Sequence, residues 1–225
     1  MKSPALNVER AAVEVSEIVD HARFGPCALT VSVLTTLALV FDGFDIQAIA
    51  FAAPKLMSDW NMDRAALAPI LAAGLLGMFV GALVLGIAGD RYGRRRALLA
   101  SMALMAASSL LAATADGPAP LATYRFLTGL GLGGALPNVT TLMVEFAPLA
   151  MRTVIVAITV VGVPIGGMIG AAIAAWLVPA FGWPSIFVLG GVLPGLLFLA
   201  MAWLLPESPQ YLARRPQRAK ELATT

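Results

Sequence analysis

Phe41-Asp42-Gly43-Phe44-Asp45 places two carboxyl groups three residues apart inside an apolar run that extends from about Pro26 to Ala53. A run of that length is enough to cross a bilayer. Charge at membrane depth costs roughly 2.5–3.5 kcal/mol per residue on insertion scales, so ionisable residues there face a protein interior or an aqueous cavity. Asp42 and Asp45 share a helix face with Thr35, Ala38 and Ile49, and that face is expected to point into a bundle. The alternative is a membrane-edge helix whose acids reach the headgroups. It suits aspartate poorly, because the side chain is too short to snorkel from mid-span.

The whole chain agrees with a membrane setting. Of its 225 residues, 59% are hydrophobic and 12% charged, and its uncharged runs exceed the ~18-residue threshold for a span. An all-α membrane protein in contact with the lipid bilayer is therefore expected, and a soluble enzyme is excluded. Cys27 is the single cysteine, which rules out an internal disulfide and leaves packing as its role. Residues 1–25 carry Glu9, Glu14, Glu17 and Asp20 among Lys2, Arg10 and Arg23, unlike the short basic region of a signal peptide. They are expected to form a retained cytoplasmic tail, partly helical from Val8 to His21. His21, the single histidine, belongs to that tail and carries no relay. No His or Cys cluster suits a metal and no nucleophile is paired with a base, so no enzyme activity, cofactor or metal is expected, nor a nucleic-acid partner.

Six apolar runs lie near 26–53, 65–89, 97–115, 120–147, 153–179 and 185–205, forming a six-helix bundle over 26–205. Turns are expected at Pro54 to Met62, Asp90 to Arg96, Asp116 to Pro118, Pro148 to Arg152 and Pro179 to Pro184. Twelve Lys and Arg residues fall in alternate segments that include both termini, against Lys55 and Arg64 in the others. That asymmetry places both termini in the cytoplasm. Trp60, Trp176, Trp183 and Trp203 fall near span ends, where interfacial anchors sit. Gly77-xxx-Gly81, Gly129-xxx-Gly133 and Gly162-xxx-Gly166-xxx-Gly170 are small-residue faces suited to close helix packing.

Three charged groups are not explained as loop or interface residues. Arg125 sits about one turn inside the outer end of the fourth span, at a depth comparable to that of Asp45 in the first. The two could pair as a buried, switchable site whose protonation answers to a ligand's charge. The alternative is a static structural pair. A second constellation, Gly86-Ile-Ala-Gly89-Asp90-Arg91-Tyr92-Gly93-Arg94-Arg95-Arg96, forms a short inner turn in which Gly93 permits a tight reversal. A pure topology signal would have no use for Asp90. A third cluster, Glu145, Pro148 and Arg152, occupies the inner end between the fourth and fifth spans.

Gly86 to Arg96 resembles the signature loop of the major facilitator superfamily, with Ala88 where that pattern prefers leucine. Arg125-Phe-Leu-Thr-Gly129-Leu-Gly131 resembles the family's fourth-helix motif, and Pro206-Glu207-Ser208-Pro209-Gln210-Tyr211-Leu212 its end-of-sixth-helix motif. Asp42-Gly43-Phe44-Asp45 further resembles the aromatic acid:proton symporters, which import hydroxybenzoates and protocatechuate. Sugar porters share the Pro-Glu-Ser ending but place a glutamine in the fifth span, and this chain has none between Gln47 and Gln210. Drug:proton antiporters carry Gly-Pro-x-x-Gly-Gly there, whereas Gly162-Val163-Pro164-Ile165-Gly166-Gly167 displaces the proline by one residue. A six-span channel or receptor component would need a re-entrant segment or an arginine-repeat helix, and neither is visible.

The resemblance implies one six-helix half, built from two inverted three-helix repeats, of a fold whose ligand binds between two halves. It implies proton-coupled uptake of an aromatic carboxylate across the inner membrane, with Asp42, Asp45 and Arg125 serving substrate and proton. It also implies that Asp90 and the loop arginines latch a second half, with Glu145 and Arg152 part of that charge relay. Residues 206–225 would begin a central cytoplasmic loop, so the chain is expected to be a truncated half of a protein about twice as long.

Overall fold

The computed structural model describes residues 25–213. Six long helices make up most of it: α1 (Pro26–Asp59), α2 (Arg64–Tyr92), α3 (Arg94–Ala112), α4 (Pro118–Phe146), α5 (Arg152–Phe181) and α6 (Pro184–Leu204). A short α7 (Pro209–Ala213) follows. All six long helices are long and apolar enough to cross a membrane. The N-terminal tail with His21, and the basic segment from Arg214, lie outside the described residues.

Helix ends follow local chemistry. Pro26, Pro118 and Pro184 open their helices, where a missing N–H is no loss. The Asp63 carboxylate caps α2 by accepting from the Ala66 N–H at 2.9 Å. Two turns are tighter than the punctuation suggests. α1 runs through Pro54 to Asp59, with Ala52 and Leu56 fully buried, so packing holds the helix where the proline removes one backbone bond. Between α2 and α3 only Gly93 is non-helical, at φ 108°, so the arginines expected in a loop instead start a helix.

The most extensive contacts run between α2 and α4 and between α1 and α5, while α3 packs on α4 and α6. The first two pairs exchange when α1 is matched with α4, α2 with α5 and α3 with α6, which is the symmetry of two three-helix repeats. Glycine makes both contacts possible. A Cβ at Gly77 or Gly81 would stand 2.1 Å from the carbonyl oxygens of Phe126 and Leu130. Gly129 and Gly133 would meet those of Gly74 and Met78 at 2.2 and 2.0 Å. In the other pair, Gly43 would meet the Val163 oxygen and Gly166 the Val40 oxygen, each at 1.8 Å. Gly162 lies against Thr36 and Gly170 against the ring of Phe44. Backbone thus lies on backbone, a geometry that any side chain would prevent.

The buried apolar residues form two clusters. One gathers Leu39, Leu98, Met102, Leu142 and Met201 toward the end where α3 begins and α4 finishes. The other gathers Leu56, Ile70, Leu121, Ile186 and Phe187 toward the opposite end. Trp176 and Trp203 are exposed, as membrane anchors would be, but Trp183 is turned inward. It packs edge-on against Trp60 and Phe187, whose rings cover more of its surface than an interface would.

Candidate functional site

Between the two apolar clusters lies a polar layer. Asp45 on α1 is fully buried and Arg125 on α4 is 4% exposed. One guanidinium nitrogen of Arg125 donates to Asp45 Oδ2 at 2.7 Å, and another donates to the Asp45 main-chain carbonyl at 3.1 Å. The guanidinium also lies over the Phe187 ring, 5.9 Å from its centroid. The Ser109 hydroxyl on α3 is 3.2 Å from Asp45 Oδ1 and 3.1 Å from the Phe187 carbonyl, and with one proton it serves one of them at a time. Four helices therefore converge on one ion pair. An apolar interior offers no other way to hold two charges at this depth.

Asp42, one turn before Asp45, is 3% exposed, and its Oδ1 has no hydrogen-bond partner. Gly43 between them is the residue through which α1 touches the α5 backbone. Beside Arg125 a cavity of about 220 Å³ opens between α1, α2 and α4, lined by Ile46, Ile49, Ile70, Leu71, Gly74, Leu75, Met78 and Leu132.

The second group of sequence-derived residues meets at the other end of the helices. Arg94 at the start of α3 pairs with Asp90 at the end of α2 and donates to Asn138 Oδ1 at 3.4 Å. The Asn138 amide donates to the carbonyls of Leu85 and Gly134 at 3.1 and 2.7 Å. Gly89 leaves room for Asn138, since a Cβ there would stand 2.0 Å from its Oδ1, whereas Gly86 only approaches Pro137. Glu207 accepts from the Arg95 main-chain N–H at 3.0 Å, putting a carboxylate at the N-terminus of α3. Gly93 has no room for a side chain, because Glu207 Oε2 would lie 2.6 Å from its Cβ. The Arg95 side chain donates to the Ala202 carbonyl at 2.6 Å. The Ser208 hydroxyl donates to Glu145, the Arg152 guanidinium donates to the Ala147 carbonyl at 3.4 Å, and Arg91 is exposed.

Asp45 and Arg125 are thus brought together, and so are Asp90, Arg94, Glu145 and the Pro-Glu-Ser segment. Ser109, Phe187 and Asn138 escaped the sequence reading. Asn138 left a signal, as the one carboxamide within the fourth span. Ser109 left none, since a hydroxyl within a helix commonly bonds its own backbone.

A family model described as Major Facilitator Superfamily matches residues 35–224. The chain is 39% identical over 213 residues to a gallate transporter of Pseudomonas putida, covering 95% of this chain and 47% of that protein. It is 37% identical over 222 residues to the 4-hydroxybenzoate transporter PcaK of Acinetobacter baylyi, covering 99% of this chain and 49% of that one. In structure it is similar to the inward-open xylose transporter XylE from E. coli, with a TM-score of 0.74 over 88% of this chain and 52% of that one, at 21% identity. That likeness is one of fold. The chain spans about half the length of the curated relatives it matches.

Proposed function

The chain belongs to the Major Facilitator Superfamily, and from that premise we propose that it forms one six-helix half of a proton-coupled symporter for aromatic carboxylic acids of the hydroxybenzoate class. It would work by alternating access in the inner membrane with both termini cytoplasmic, joined to a second six-helix half. The observation that carries the proposal is the buried Asp45–Arg125 pair bridging the first helix of each repeat. Relatives named for gallate and 4-hydroxybenzoate transport support the substrate class.

Charge balance supplies the mechanism. Empty, the pair itself is neutral, and the site as a whole is neutral when Asp42 beside it carries a proton. A substrate carboxylate drawn to Arg125 adds one negative charge, and a proton taken by Asp45 removes it. Either event alone leaves a net charge in a low-dielectric site, which is costly, so proton and carboxylate are bound and released together. The unpartnered Asp42 oxygen is the adjacent station for that proton. At the inner end, Asp90, Arg91, Arg94, Arg95, Glu145 and Arg152 form the gate that engages the second half in one of its two orientations. The test is uptake of labelled aromatic acids into cells at imposed pH gradients by the two-half protein, with Asp42→Asn and Asp45→Asn beside it. Gradient-driven uptake that both substitutions abolish is expected; undiminished uptake in both would end the coupling proposal.

A further inference from the structure

We propose that the cavity beside Arg125 is the slot that receives the ring of the aromatic carboxylate, and that Gly74 sets the size of ring admitted. This rests on the aromatic-acid reading above and deepens it. The argument starts from an unexplained glycine. Gly74, Gly77 and Gly81 lie along one side of α2, and the last two cannot carry a Cβ without striking the α4 backbone. A Cβ on Gly74 would meet nothing nearer than the Arg125 carbonyl at 3.8 Å, an ordinary van der Waals distance. The close contact in which Gly74 does take part requires Gly129, not Gly74, to be small, since it is the Gly129 Cβ that would strike the Gly74 oxygen. Helix packing therefore leaves Gly74 free to carry a side chain, and the space it leaves empty belongs to the cavity.

The lining fits one chemistry. Ile49 and Ile70 form buried walls, Ile46 and Leu75 border the open side, and Arg125 is the one charged group among the lining residues. Apolar walls beside Arg125, whose guanidinium is already held by Asp45, complement a flat apolar ring whose carboxylate could compete for that cation. A polyol would need hydrogen-bonding side chains all round, and the lining has none beyond Arg125, whereas the hydroxyls of a hydroxybenzoate lie only at the ring edge and would find partners across the open side. At about 220 Å³ the cavity is smaller than the roughly 300–1,000 Å³ of complete drug-sized sites, and suits one end of a ligand, such as an aromatic ring.

The experiment measures uptake of 4-hydroxybenzoate, benzoate, the three monomethylbenzoates and 2-naphthoate by the two-half protein, with expression and membrane insertion of each variant checked by a fluorescent fusion. Gly74→Ala adds one methyl group to the slot. The methylbenzoate preferred by the wild type should then lose about 10-fold in KM relative to benzoate, the size of effect one methylene has in an apolar pocket. Leu75→Ala, at a position 67% exposed on this six-helix half, widens the open side and should improve 2-naphthoate relative to benzoate by about the same factor. If the wild type takes up benzoates but both substitutions leave every KM ratio unchanged, the slot is elsewhere and the symporter reading stands. If the wild type takes up no aromatic carboxylate under any gradient, the symporter reading falls and the slot with it.

Discussion

Replacing Arg125 with glutamine strands the Asp45 carboxylate in a site with no measurable exposure. The loss is a 2.7 Å ion pair and a 3.1 Å bond to the Asp45 carbonyl, while the Ser109 hydroxyl at 3.2 Å remains as donor. Breaking a buried pair from one side typically costs about 3–5 kcal/mol. The remaining hydroxyl and the adjoining cavity, which can admit water, place this case near the lower end. At roughly 2–4 °C per kcal/mol for a chain of this size, the thermal midpoint in detergent should fall by roughly 6–12 °C. Asp45→Asn alone should cost less, because Arg125 keeps the main-chain carbonyl and the Phe187 face. The double variant Asp45→Asn/Arg125→Gln should be more stable than the sum of the singles by about 2 kcal/mol, since two neutral amides can bond to each other. Unfolding followed by tryptophan fluorescence measures all four proteins. Additivity within about 0.5 kcal/mol would show that the two side chains are stabilised separately, and the closed pair on which the charge-balance argument depends would not exist.

Asp42→Asn should leave the thermal midpoint nearly unchanged, because Oδ1 has no donor to lose, yet should abolish gradient-driven uptake; a large fall in stability would mark a structural residue instead. Gly166→Ala sets a Cβ 1.8 Å from the Val40 oxygen and must part α1 from α5, costing about 1–3 kcal/mol, whereas Gly195→Ala within α6, whose Cβ would meet nothing nearer than Ala106 Cβ at 3.7 Å, should cause no loss in the same unfolding assay. Glu207→Gln removes the carboxylate from the α3 N-terminus and should cost about 1 kcal/mol, with a difference from wild type that shrinks as salt is raised.

The class of fold was legible because bilayer thickness sets helix length, and residues such as those between Pro184 and Leu204 have no soluble use. The inward face of α1 was legible for a related reason: Asp42 and Asp45 could not face lipid, and Thr35, Ala38 and Ile49 are buried with them. What could not be read was which residues on other helices complete the site. The Ser109 contact depends on the rotation of α3, and the Phe187 contact on where α6 crosses it. Pattern along one helix does not carry those quantities. Glycine patterns announced close packing, but they could not separate Gly74, which leaves space, from Gly77, which fills a contact. That difference lies in the position of the α4 backbone. Pro54 was misleading because the rule that proline ends helices is learned in water, where neighbouring segments do not hold the chain in place.

The packing also limits how the chain can move. Two helix pairs, α1 with α5 and α2 with α4, touch backbone to backbone through glycines, and such contacts cannot slide without raising one helix over another's carbonyl groups. The ends where α3 begins and α4 finishes are tied as well, with Glu207 on the start of α3 and Ser208 on Glu145 at the end of α4. A bundle restrained at mid-depth and at one end has little freedom for internal rearrangement, so the proposed alternating access would have to move the six helices as one body. On the same reading the Asp45–Arg125 pair would be the condition for that motion: a body with a net charge in its apolar centre resists exposing it to hydrocarbon, whereas a neutral one does not. On the proposed symporter reading, the bundle would turn when empty or loaded with both proton and carboxylate, and would be held when it carries only one of the two.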